Sequence, residues 1–147
     1  MEWAALIAWV VTAGGGFVLL TVWLKNGGMA QREPGRIRPP LIFSHFLLAA
    51  TGLVLWIIYV ATDSDALAWI AFVALAIVGA IGFTMFALWM RQRQRPGSTA
   101  GTGGVAAATA GEPAEQRFPV SIVGLHGLLA VTTVVLVFLA TIGVGDS

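Results

Sequence analysis

His45 and His126 are the only histidines in this 147-residue chain, and both lie inside long apolar stretches. Neither stretch contains Asp, Glu, Lys or Arg, so the two imidazoles are the only readily ionisable groups in those surroundings. An imidazole can ligate a metal, relay a proton near neutral pH, or hydrogen-bond a neighbouring backbone. The chain has no cysteine, which excludes disulfides, thiolate metal sites, iron–sulfur clusters and cysteine nucleophiles. What the pair can do then depends on whether the fold brings the two rings together.

The elements that must position them are set by hydropathy. The chain is 58% hydrophobic and 10% charged, against roughly one quarter charged for a soluble domain. Four apolar runs, about 3–24, 41–61, 66–90 and 120–143, lack internal charges. Each is close to the ~20 residues that cross a hydrocarbon core as a helix. The expected fold class is all-α: a single membrane domain built as an up-down bundle of four transmembrane helices. The first run lacks a basic segment before it, so it reads as a retained helix rather than a cleaved signal.

Charge sets the orientation. Lys25, Arg32, Arg36 and Arg38 lie between runs one and two, and Arg91, Arg93, Arg95 and Arg117 between runs three and four. The other side carries Glu2, Asp63, Asp65 and Asp146, with no basic residue. The positive-inside rule places loops 25–40 and 91–119 in the cytoplasm and both termini outside. A bacterial plasma membrane suits the short loops. Pro39, Pro40 and Pro119 mark where helices two and four begin, since proline is tolerated in a first turn. Trp3, Tyr59 and Trp69 are expected at the outer interface, and Trp23 and Trp89 at the inner one.

With these elements in place, the histidines fall at a common depth. His45 follows Pro40 by five residues and His126 follows Pro119 by seven, so they sit ~7.5 and ~10.5 Å into helices that start from the same face. If the helices pack in sequence order, two and four are diagonal partners with axes ~11–14 Å apart. One face of helix two carries His45, Ala49, Gly52 and Trp56; one face of helix four carries His126, Ala130, Thr133 and Val137, with Gly127 beside the histidine. In Ser44-His45-Phe46 and Gly124-Leu125-His126-Gly127 the chain resembles the small membrane b-type cytochromes. The resemblance covers two of the four helices. It implies one haem b with His45 and His126 as axial ligands to the iron, Ala49, Gly52, Gly127 and Ala130 making room for the macrocycle, and nearby arginines pairing with the propionates. Met85 reaches a similar depth from helix three and is an alternative iron ligand, although methionine more often fills space. The same pair also admits a non-haem metal, a proton relay, or a purely structural role.

The remaining sequence is quieter. Residues 94–117 are rich in Gly, Ser and Ala and read as a flexible cytoplasmic linker. Gly14–Gly16 and the small residues around Gly79 and Gly82 read as helix-packing positions. No internal repeat is apparent. No zinc-protease, nucleophile-elbow or phosphate-loop motif occurs, and the spans hold no carboxylate pair, so an enzyme acting on its own is not expected. Nucleic-acid binding by so few basic residues is excluded as a role. The leading function is a small electron-transfer protein or respiratory-complex subunit with one haem; its rival is a cofactor-free accessory subunit of a larger membrane complex. A third reading, a small transporter or channel, is weakened by the uncharged bundle interior. The bilayer is a partner in each, and a homo-oligomer is compatible with the first two.

Overall fold

In lipid every backbone N–H and C=O must find its partner inside the segment, which leaves the α-helix as the form an apolar run can take. The computed structural model describes residues 1–30, 36–94 and 114–144. They form α1 (Glu2–Lys25), α2 (Pro39–Thr62), α3 (Asp65–Arg93) and α4 (Val120–Thr141). Short 3₁₀ turns lie at Gly28–Ala30 and Ala114–Arg117. Each long helix is apolar and long enough to cross a membrane. Large apolar side chains such as Ile7, Val10, Phe17, Leu47, Ile70, Phe83, Leu128 and Val131 cover the outside. Thr21, Thr51, Thr84 and Thr132 donate their hydroxyls to the carbonyl four residues earlier, so no outward hydroxyl is left unsatisfied at these positions.

The helices run up and down in ring order. Packing is closest between α2 and α3 and between α1 and α4, and lighter between α1 and α2 and between α3 and α4. That puts α2 and α4 on one diagonal. At one end, Asp63 turns the chain directly from α2 into α3: it takes a left-handed conformation (φ 53°) and donates its N–H to the Tyr59 carbonyl at 2.8 Å. Asp adopts that region more readily than bulkier residues. The connections α1–α2 and α3–α4 lie at the opposite end, here called the loop end.

The packing exposes a repeat that is not apparent from the sequence alone. Shifted by 66 residues, Trp3, Ala5, Ala8, Gly16, Phe17 and Trp23 fall on Trp69, Ala71, Ala74, Gly82, Phe83 and Trp89. Shifted by 81, His45, Leu47, Leu48, Ala49, Thr51, Val54 and Leu55 fall on His126, Leu128, Leu129, Ala130, Thr132, Val135 and Leu136. The shift grows because the second loop is longer. Burial follows the same correspondence: Ala5, Trp9, Thr12 and Trp23 on α1 match Ala71, Leu75, Val78 and Trp89 on α3. Gly52, Trp56 and Tyr59 on α2 match Thr133, Val137 and Ala140 on α4. The chain is thus two copies of one helical hairpin, α1–α2 and α3–α4, related by a pseudo-two-fold axis along the bundle.

The copies differ where they fill the core. Gly52 lies against the Trp9 ring, which a Cβ there would meet at 3.0 Å, and Trp9, Trp56 and Tyr59 form a contiguous aromatic cluster. The equivalent positions in the second copy hold Leu75, Val137 and Ala140. One hairpin therefore supplies the bulk that fills the half of the core away from the loops, and the other makes way for it. Tyr59 belongs to this core rather than to an interfacial belt, whereas Trp3 and Trp69 are exposed as expected.

At the loop end, Trp23 and Trp89 are also buried, because the loops fold over them. Gly28 is seated directly on the Trp23 indole. Residues 114–117, expected to be part of a flexible linker, form a 3₁₀ turn packed on α1 and α3; positions 95–113 lie outside the described residues. The reason is Glu115. Its carboxylate accepts the Ile37 N–H (3.2 Å) and its carbonyl accepts the Trp89 indole N–H (3.0 Å). Its side chain is fully buried.

Candidate functional site

His45 lies six residues beyond the first residue of α2 and His126 six beyond the first residue of α4. The two helices start at the same end, so equal spacing gives equal height. Both point their histidine into the bundle, and the rings face one another with centroids 6.5 Å apart and planes 65° apart. The diagonal pairing expected from the sequence is the pairing the fold makes.

Each ring is held by the neighbouring helix, not by its own. His45 Nδ1 lies 3.1 Å from the Val78 carbonyl of α3, and His126 Nδ1 lies 3.0 Å from the Thr12 carbonyl of α1. A carbonyl oxygen only accepts, so each Nδ1 carries the proton that it donates. In the neutral imidazole that leaves Nε2 with a free lone pair. Among the described residues, no hydrogen bond engages either Nε2. Such a ring is prepared for ligation, because a metal-binding histidine characteristically donates its other nitrogen to a carbonyl or carboxylate.

Glycine lines the approach. A Cβ at Gly82 would meet His45 Cε1 at 3.0 Å, and one at Gly16 would meet His126 Cε1 at 3.3 Å. Gly15 also borders His126, at 3.4 Å from Nδ1. Val78 and Gly82 on α3 correspond to Thr12 and Gly16 on α1, so the site has the symmetry of the repeat. Thr12 adds a link the other half lacks: its hydroxyl meets that of Thr133 on α4 at 3.0 Å.

The other residues expected at the site are placed unequally. Ala49 and Ala130 lie one turn beyond the histidines and are half-buried. Gly52 is buried, but the space beside it is taken by Trp9. Gly127 is exposed, and a Cβ on it would meet nothing within 4 Å. Met85 is half-buried on α3, one turn beyond Gly82. Among the described glycines, those whose Cβ position borders an imidazole are Gly15, Gly16 and Gly82, on the helices that carry no histidine. Their proximity in sequence to no histidine is what concealed them.

Donor count narrows the chemistry. Among the described residues no group of three or more His, Cys, Asp or Glu side chains could hold a metal. Zinc sites take three or four protein ligands, so the pair alone is too few for that ion. A metal that brings further ligands of its own needs fewer donors from the chain, and His45 and His126, with ring centroids 6.5 Å apart, would be the residues to hold it. Comparison with models of protein families, with curated proteins and with solved structures finds no match to this chain.

Proposed function

We propose that this chain is a membrane electron-transfer protein, or the subunit of a respiratory complex, that binds one haem b between His45 and His126. The observation that supports the reading is the diagonal pair itself: two imidazoles at one height, 6.5 Å apart, each held by a backbone carbonyl with Nε2 free. The donor set fits haem iron, whose four remaining ligands come from the macrocycle. When bound, the group supplies a one-electron couple whose potential is tuned by axial ligation and burial. His45 and His126 would hold it, with the Val78 and Thr12 carbonyls fixing the rings and Gly15, Gly16 and Gly82 leaving space for the imidazoles.

One site is proposed, not two. The half of the core away from the loops is filled by Trp9, Trp56 and Tyr59, and the chain has no further histidine. The eight basic residues at the loop end support an orientation with that end, and the proposed haem, toward the cytoplasmic leaflet, and a bacterial plasma membrane is the proposed setting. Electron exchange is then with a partner on that side.

The test is the reduced-minus-oxidised visible spectrum of protein made with ample haem and purified in mild detergent. The expected result is sharp b-type bands at about one haem per chain. His45→Ala and His126→Ala should each remove them while the protein still inserts; Met85→Leu should leave them in place. A flat wild-type spectrum refutes the cofactor and leaves the accessory subunit, for which a stoichiometric co-purifying membrane partner is the positive sign. Unchanged haem in both histidine variants refutes the assigned ligands.

A further inference from the structure

From the repeated geometry we infer that Gly16 and Gly82 are positioning residues that hold the two histidines in one tautomer and one orientation. The inference deepens the haem reading and rests on it for its functional meaning, but its structural content stands on the apo chain. In α3 the Val78 carbonyl belongs to the helical ladder and takes the N–H of residue 82, four positions on. It must also take the His45 Nδ1–H. A carbonyl oxygen has two lone pairs and can serve both donors, provided that the side chain at 82 does not cover it. Glycine is the residue that meets this condition. The arrangement at Thr12, Gly16 and His126 is the same.

Two further observations separate this role from ordinary close packing of small residues. First, the glycines are not interchangeable with their neighbours. A Cβ at Gly14 or Gly79 would meet nothing within 4 Å, whereas one at Gly16 or Gly82 meets the Cε1 of a histidine ring. Second, Gly16 and Gly82 occupy equivalent positions in the two hairpins, as do the two histidines. The copies have diverged at Trp9 and Leu75, at Trp56 and Val137, and at Tyr59 and Ala140. A methyl group at 82 would lie 3.0 Å from His45 Cε1, tighter than ordinary Cβ contacts, so the ring must give by a few tenths of an ångström. At 16, where the distance is 3.3 Å, the demand is milder. A ring pushed outward lengthens its bond to the carbonyl, 3.1 Å for His45 and 3.0 Å for His126, and so weakens what fixes the proton on Nδ1.

The experiment reads the imidazoles directly. The full-length protein, labelled with ¹⁵N at histidine, is purified without haem in detergent micelles, and long-range ¹H–¹⁵N correlations report which ring nitrogen carries the proton. Both wild-type histidines are expected as Nδ1–H tautomers. Gly82→Ala should convert the His45 signals to a mixture of tautomers and leave His126 unchanged; Gly16→Ala should do the reverse, with a smaller shift. Gly79→Ala and Gly14→Ala are the controls and should change neither. An Nε2–H tautomer for both wild-type rings overturns the inference, as do glycine variants indistinguishable from the controls. If Gly82→Ala does not fold, Gly16→Ala with its looser contact decides the matter at His126. Haem-loaded samples give the second readout, in which Gly82→Ala is expected to lose part of the low-spin, two-histidine signature and to shift the midpoint potential. Absence of haem from the wild type would refute the cofactor, while the tautomers would still decide the role of the glycines.

Discussion

Replacing Gly52 with threonine should destabilise the bundle, and replacing Trp9 with leucine in the same chain should recover much of the loss. The pair converts the first hairpin to the residues that the second carries at the equivalent places, Leu75 and Thr133. A Cβ at position 52 meets the Trp9 ring at 3.0–3.1 Å and the Ala74 Cβ at 3.5 Å, and threonine adds two more heavy atoms. Overpacking of this kind costs about 1–3 kcal/mol. Trp9→Leu alone leaves a void beside Gly52. In a bilayer the transfer from water contributes little and packing carries the stability, so the cavity term dominates: at ~24 cal/mol per Å³, a ~50 Å³ void costs ~1.2 kcal/mol. In the double variant the added methyl and hydroxyl occupy that void, and both penalties shrink together. The cycle should therefore show a favourable coupling of about 1–2 kcal/mol, inside the range for residues in contact. Reversible unfolding by SDS titration from mixed micelles, followed by circular dichroism, measures all four proteins. Additivity within about 0.3–0.5 kcal/mol, the behaviour of independent sites, would refute both the contact and the volume exchange inferred from the repeat.

Glu115→Ala should loosen the loop end, because it strips the buried Ile37 N–H of its acceptor at a cost of about 1–3 kcal/mol. Limited proteolysis in the loops should accelerate in that variant and much less in Glu115→Gln, which keeps a side-chain oxygen; equal cleavage of Glu115→Ala and wild type would count against the clasp. Thr133→Val should cost under about 1 kcal/mol in the same SDS assay, near the ~0.6 kcal/mol average for hydrogen bonds between membrane helices. The two hydroxyls of Thr12 and Thr133 have two protons for three contacts, since each also faces the carbonyl four residues earlier. A loss above 2 kcal/mol would show that this reasoning understates the link.

The helices were legible because charge and hydropathy leave one solution: four uncharged runs of spanning length, with all eight basic residues in two loops. The histidine pair was legible for a related reason, since similar distances from two helix starts on one face give similar depth, and the helix starts at Pro39 and Val120 make the spacing equal. What faces the histidines was not. Gly16 and Gly82 sit on other helices, and their relation to His126 and His45 depends on which neighbours pack most closely. Trp23 and Trp89 looked interfacial because their position along the helix is terminal; a loop folded over them decides their burial. Glu115 was hidden in a segment whose glycine and alanine content pointed to a linker. The repeat is masked in the sequence because the two copies need different shifts, 66 and 81 residues, and because large and small residues have been exchanged across its core.

That exchange says what each half of the bundle is for. Along the pseudo-two-fold axis, symmetry is broken where Trp9, Trp56 and Tyr59 face Leu75, Val137 and Ala140. There one hairpin fills the centre, and a filled centre needs no equality between its sides. Around the histidines the symmetry is kept: ring against ring, carbonyl against carbonyl, glycine against glycine. Packing alone does not demand this, since large side chains from one hairpin would close the gap, as Trp9, Trp56 and Tyr59 do at the other end. A ligand placed on the axis and bound from both sides by like donors would account for it, because each side then presents the same group at a similar distance. The contrast between the two ends is thus an argument for an occupant between His45 and His126 that stands apart from the distance between the rings.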